Sequence, residues 1–72
     1  MAIIKNPSAF GAVIRAERKA QKLTQTQLAE LCGVGLTFLS NLENGKETAE
    51  IGKAMHVARM LGLDISVNKR GE

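Results

Sequence analysis

Residues 25–44, QTQLAELCGVGLTFLSNLEN, read as two short helices meeting at a sharp turn, and the rest of the chain either supports this pair or joins two copies of it. Leu28, Ala29 and Cys32 fall on the inner face of the first helix, Gly33 and Val34 in the turn, and Leu39 and Leu42 on the second helix. Helices that cross near a right angle approach closely, so a small residue such as Ala29 is needed at the crossing and a glycine at the turn. Gly33 can take a left-handed backbone angle at little cost. The ends are marked as well. Thr24 followed three residues later by Gln27 is a capping box that satisfies orphan amides at a helix start, and Asn44-Gly45 suits a helix C-terminus.

Working toward the N-terminus, Asn6-Pro7 starts a longer helix, with Asn as the cap and Pro at the first helical position, where its missing amide is no loss. That helix is expected to run to about Lys22, with Phe10, Val13, Ile14 and Ala20 as its apolar stripe and Arg15, Lys19 and Lys22 solvated. Ile3 and Ile4, before it, could dock on the core, pair as a short strand or fray. Beyond the central pair, the loop GKETA leads to a last helix from about Glu50 to Leu61. Ile51, Ala54, Met55, Ala58 and Leu61 recur there at spacings of three and four and are expected to be buried. Phe38 is expected to face inward with Leu39 and Leu42, leaving Leu36, Thr37, Ser40, Asn41 and Asn44 outside.

After Gly62 the period changes to two. Leu63, Ile65 and Val67 alternate with Asp64, Ser66 and Asn68, which places the apolar side chains on one face of an extended strand; Lys69 to Glu72 form a polar end. A lone strand leaves its backbone groups unpaired. Its expected partner is therefore the same strand of a second chain.

Composition narrows the function classes. The 72 residues, 44% of them hydrophobic, allow one compact domain with a small core; a chain of this size buries only about 60% of its unfolded surface and often gains stability by oligomerising. The net charge of +3 is compatible with nucleic acid without arguing for it. There is no charged-then-apolar leader and no run near the roughly 20 apolar residues that span a membrane, so a cytoplasmic protein without a membrane partner is expected. One His, one Cys, no glycine-rich phosphate loop and no paired metal ligands give no catalytic residue, metal site or cofactor to propose. Cys32 reads as a core thiol and His56 as a surface residue on the outer face of the last helix.

With these elements in place, LTQTQLAELCGV, FLSNLENGK and ARMLGL together resemble the lambda-repressor or XRE-type helix-turn-helix family over about residues 10–62. Within it, the short chain, the LSNLENGKETA stretch and the terminal strand resemble the HipB-type antitoxins. The resemblance implies a mainly α bundle of four to five helices, with residues 1–62 as a DNA-binding domain and 63–72 as a dimerisation strand and tail. It implies that the helix from Leu36 to Glu43 enters the major groove, Gly35, Leu36, Thr37 and Asn41 lying near bases. Gln25, Asn44 and Lys46 would lie near phosphate, and Arg18 would form a structural ion pair with Glu43. Leu63, Ile65 and Val67 would join the two-fold mate. One departure stands out: Gly35-Leu36-Thr37-Phe38 lacks the Arg, Lys or Gln that usually makes bidentate base contacts, which points to readout by DNA shape and phosphate contacts.

The implied function is that of a repressor on a palindromic duplex operator, acting as the antitoxin that neutralises a HipA-like kinase toxin and represses its own operon. Two other readings stay open. One is a protein-interaction module that neutralises its partner without recognising DNA, and the other a phage-type or restriction-modification controller repressor.

Overall fold

The structure, a computed structural model, describes residues 4–47 and 49–70, so Ile3, Thr48, Gly71 and Glu72, named above, lie outside the described residues. Among the described residues four helices follow in order: α1 Pro7–Ala20, α2 Gln25–Cys32, α3 Leu36–Glu43 and α4 Ile51–Met60. Their starts follow from local chemistry. The Asn6 side chain accepts a hydrogen bond from the Ala9 amide at 2.8 Å. Thr24 and Gln27 form the reciprocal capping box, at 3.0 and 2.8 Å, so two amides with no partner inside α2 are satisfied.

All four helices end in the same way, with two amides beyond the last turn folding back onto carbonyls that have no helical partner. In α1 the pair is Lys22 to Lys19 and Leu23 to Arg18; in α4 it is Gly62 to Arg59 and Leu63 to Ala58. The motif needs a left-handed residue, supplied by Gly33, Gly45 and Gly62 and, after α1, by Lys22 with φ of 60°. The first helix therefore stops at Ala20, short of the expected Lys22.

The core comprises Ile14, Leu28, Ala29, Cys32, Leu39, Leu42, Ala54, Val57, Ala58 and Leu61, with Phe10, Leu23, Val34, Phe38 and Leu63 packed half-buried around it. α1 packs on α3, α3 on α2 and α2 on α4. The tightest approach is at Gly11, where a Cβ would collide with the Leu42 carbonyl oxygen and lie 2.7 Å from that of Glu43. A glycine inside a helix destabilises it by roughly 0.5–1 kcal/mol relative to alanine. Here it is what lets the two backbones touch.

Several expected positions fall elsewhere. Ile51 is 74% exposed, because as the first residue of α4 it projects past the core and lines an open groove with Ile4, Phe10 and Ala49. Val57 is fully buried in its place. Ala20 is exposed at the end of α1, and Met55 is half-buried. His56 is not a free surface residue: it lies half-buried with Nε2 3.1 Å from the Cys32 carbonyl oxygen, one of the acceptors left over at the end of α2. Cys32 is buried, and burial pushes its thiol above the ordinary range.

No strand forms among the described residues, and the run from Leu63 to Asn68 pairs with none of them. Leu63 packs on its own core, drawn there by the turn that ends α4. Ile65 and Val67 remain exposed, Val67 at 95%.

Candidate nucleic-acid interface

A buried ionic cluster where α1, α2 and α3 meet brings together Arg18, Glu43 and Gln25. Arg18, on α1, donates to both carboxylate oxygens of Glu43 at the end of α3, Nε to Oε2 at 2.7 Å and Nη2 to Oε1 at 2.9 Å. The two side chains are 10% and 1% exposed. Nη1 of Arg18 donates to the Leu23 carbonyl at 2.8 Å, and Nε2 of Gln25, the first residue of α2, donates to Oε1 of Glu43 at 3.2 Å. Among the described residues no buried side-chain polar atom lacks a partner.

Burial alone would raise the Glu43 carboxyl. The hydrogen bonds from Arg18 and Gln25 and the nearby charges of Arg18 and Arg15 outweigh it, so the group is held below its ordinary value. The hydrogen bond to Glu43 raises the Arg18 guanidinium against the opposing effect of burial. A bidentate pair of this kind fixes orientation as well as charge. It locks the end of α3 to α1 and the start of α2.

Around this lock the candidate residues spread over the α3 surface. Gly35 precedes the helix with an ordinary φ of −70°, and a Cβ built on it would meet no atom within 4 Å. Nothing in the fold requires a glycine there. Leu36 and Thr37 follow it, both exposed, and Asn41 lies half-buried one turn on. At the far end Asn44 and Lys46 are exposed, held by the turn in which the Gly45 and Lys46 amides bond back to the Leu42 and Asn41 carbonyls at 3.1 and 3.0 Å. Gly45, with φ of 79°, also packs against the Ser8 backbone of α1. Phe38 is half-buried, with the Lys53 ammonium 5.7 Å from its ring centre.

The helix-turn-helix family model matches residues 14–68, which include the whole of α2, the turn and α3. The chain belongs to the helix-turn-helix family, of the lambda-repressor type. By this family match the chain is a DNA-binding transcriptional regulator of the helix-turn-helix class. It is 48% identical over 69 residues to the uncharacterised HTH-type transcriptional regulator y4mF of Sinorhizobium fredii strain NGR234, covering 96% of this chain and 91% of the relative. It is 36% identical over 63 residues to the ImmF control region 10 kDa protein of Bacillus phage phi105, covering 88% and 70%. In fold it is similar to a chain of a solved HipA-HipB-O2-O3 complex, with a TM-score of 0.86 at 20% identity over 97% of this chain and 99% of that one.

Two features of this surface were missed in the sequence. Gly11 sets the approach of α1 to α3 and was recognisable as a glycine inside an otherwise helical pattern. Arg15 was read only as solvated, yet its charge reaches the Glu43 carboxylate. Only the helix packing could show that.

Proposed function

We propose that the protein is an operator-binding repressor working as a two-fold dimer, and that it is the antitoxin of a module in which it also neutralises a HipA-like kinase toxin. The observation that carries the DNA part is the exposed start of α3 together with a Gln25 whose amide is anchored on the buried Glu43 at the other end of that helix. The α3 helix lies in the major groove with Gly35, Leu36, Thr37 and Asn41 toward the base edges, and Gln25, Asn44 and Lys46 bind phosphates on either side. The missing side chain at Gly35, unexplained by the fold, leaves room for close approach to the duplex. Leu36 and the Thr37 methyl meet thymine methyl groups and Asn41 reads adenine; DNA shape supplies the remaining specificity.

Residues 1–62 then form the DNA-binding domain. In 63–72, Leu63, Ile65 and Val67 of two chains pair as antiparallel strands, Leu63 also serving its own core. This gives the exposed Ile65 and Val67 a partner and pairs the facing backbone edges of the two strands, and a self-complementary patch produces a two-fold. The operator is then a palindrome, its half-sites about 34 Å apart or a multiple of that. The likeness in fold to a chain solved with HipA supports the antitoxin part. A second reading, a phage-type control protein, is favoured by the 36% identity to the phi105 ImmF protein.

Two measurements test the proposal. Affinity for duplex from the protein's own upstream region should fall steeply as salt rises, since each neutralised phosphate contributes about −0.9 to the slope of log K against log salt. Lys46→Ala should flatten that slope on specific and random duplex alike, whereas Gln25→Ala, which removes an uncharged donor, should weaken both without flattening it. Binding that ignores salt would sink the DNA part and leave a pure interaction module. For the antitoxin part, the adjacent reading frame is expressed alone and with this chain: arrest relieved only by co-expression supports it, and a neighbour without kinase activity favours the phage-type reading.

A further inference from the structure

Along α1, residues 8, 11, 15 and 18 share one stripe, since spacings of three and four return to the same helix face. Three of them are accounted for by contact with the end of α3. Ser8 touches the Gly45 backbone, Gly11 lies against the carbonyls of Leu42 and Glu43, and Arg18 holds the Glu43 carboxylate. Arg15 sits between Gly11 and Arg18, so its side chain leaves α1 near the end of α3, within reach of the Glu43 charge. It is exposed, and among the described residues it makes no hydrogen bond or ion pair.

The neighbouring carboxylate feels this charge but makes no hydrogen bond to it. Both oxygens of Glu43 accept from Arg18, and Oε1 accepts from Gln25 as well. Four groups, Arg15, Arg18, Glu43 and Gln25, therefore carry a net positive charge at one place on the surface. The inner arginine is buried and engaged; the outer one is free to meet a ligand. A cation at the C-terminal end of a helix is also favoured by the helix dipole, which helps to keep Arg15 at this edge in the free protein.

We infer that Arg15 is a further DNA-contacting residue, placing its guanidinium on a backbone phosphate on the α1 side of α3, between the contacts made by Gln25 and Asn44. The inference rests on the DNA-binding reading above and adds to it a contact from α1. An arginine there can take two phosphate oxygens at once, which a lysine cannot. The Gln25 amide is held on Glu43 and the Arg15 side chain leaves α1 near the same carboxylate, so the two donors bind one stretch of backbone together. The contact is to phosphate and carries no sequence information.

The test compares full-length wild-type, Arg15→Gln, Arg15→Lys and Arg59→Gln on a mixed-sequence duplex of about 30 base pairs, near three helical turns. Affinity is measured across a salt series, with thermal melts of each protein alone. Arg59 is exposed on α4 and controls for net charge. Arg15→Gln should reduce the salt slope by about one and weaken binding roughly three- to tenfold at low salt, with the melt little changed. Arg15→Lys should keep the slope while recovering only part of the affinity, and Arg59→Gln should leave both near wild type. An unchanged slope in Arg15→Gln, with or without a lowered melt, overturns the contact. So does an equal loss in Arg59→Gln, which would be a general effect of charge. If the wild type itself shows no salt-dependent binding, the DNA-binding reading falls and this contact with it.

Discussion

Replacing Arg18 with Met would test the ionic cluster most severely. The substitution removes three donated hydrogen bonds, two to Glu43 and one to the Leu23 carbonyl. It leaves the Glu43 carboxylate, 1% exposed, with only the Gln25 amide at 3.2 Å. Removing one partner of a buried pair costs about 3–5 kcal/mol, because the remaining charge has lost both water and its counter-ion. A domain of this size has a total stability of about 4–11 kcal/mol at ~0.05–0.15 kcal/mol per residue. The variant should therefore lose roughly half of it, and the melting midpoint should fall by roughly 12–40 °C at about 4–8 °C per kcal/mol. Urea titration with circular dichroism gives the free energy directly. The double variant Arg18→Met, Glu43→Leu should recover most of the loss, since apolar replacement of both partners is often neutral or stabilising. A single variant within about 1 kcal/mol of wild type would refute the reasoning, because the pair would then be behaving as an exposed one.

Stability should also depend on pH through Glu43: its folded carboxyl lies below its unfolded value, so the unfolded chain binds more protons in acid, and the stabilisation is full above about pH 4.3 and lost as pH falls through the folded value. Acid titrations should show a shallower loss for Glu43→Gln than for wild type. Gly11→Ala should lower stability by at least about 1–3 kcal/mol in chemical denaturation, because the added methyl meets backbone that cannot move aside; an unchanged midpoint would mean that α1 shifts freely. Asn41→Ala or Thr37→Ala should reduce discrimination between operator and scrambled duplex by about 1–3 kcal/mol in competition binding, and equal losses on both duplexes would make them positioning contacts. Cutting the chain after Asp64, which keeps the Leu63 turn, should yield a monomer by sedimentation that retains most of its helix signal, whereas a persistent dimer would exclude the strand as the joint.

The turn chemistry was legible because it is local. Asn6, the Thr24–Gln27 box, Gly33, Gly45 and Gly62 each act within four residues of themselves, and the structure uses each as expected. The Arg18–Glu43 pair came from the resemblance, and its close geometry is a matter of packing across 25 residues of chain. Periodicity was less reliable at helix ends. The same spacing that buried Ala54, Ala58 and Leu61 also selected Ile51, but a stripe continues inward only as far as another helix covers it. Val57 was passed over because α4 presents a face wider than one row. The bond of His56 to the end of α2 had no signal in its own neighbourhood, since the orphan acceptor belongs to Cys32, 24 residues earlier.

The cluster also means that the proposed phosphate contacts are not equivalent. Lys46 is exposed and has no side-chain partner among the described residues, so its removal should fall within about ±0.5 kcal/mol of neutral for folding. Whatever binding it loses is then lost contact. Gln25 is half-buried and donates to a buried carboxylate, and a hydrogen bond to a charged group contributes about 1.5–3 kcal/mol. Its replacement by alanine weakens the lock on α3 while also removing a donor from the surface, so the two effects add in a binding assay. Comparing Gln25→Ala with Glu43→Gln separates them. The second variant disturbs the same lock and leaves the Gln25 side chain in place, so any binding lost only in Gln25→Ala is the phosphate contact itself. In this small domain the carboxylate that fixes the fold also sets the position of the proposed DNA donors, which is why Glu43 is buried and yet stands one residue from the exposed edge at Asn44.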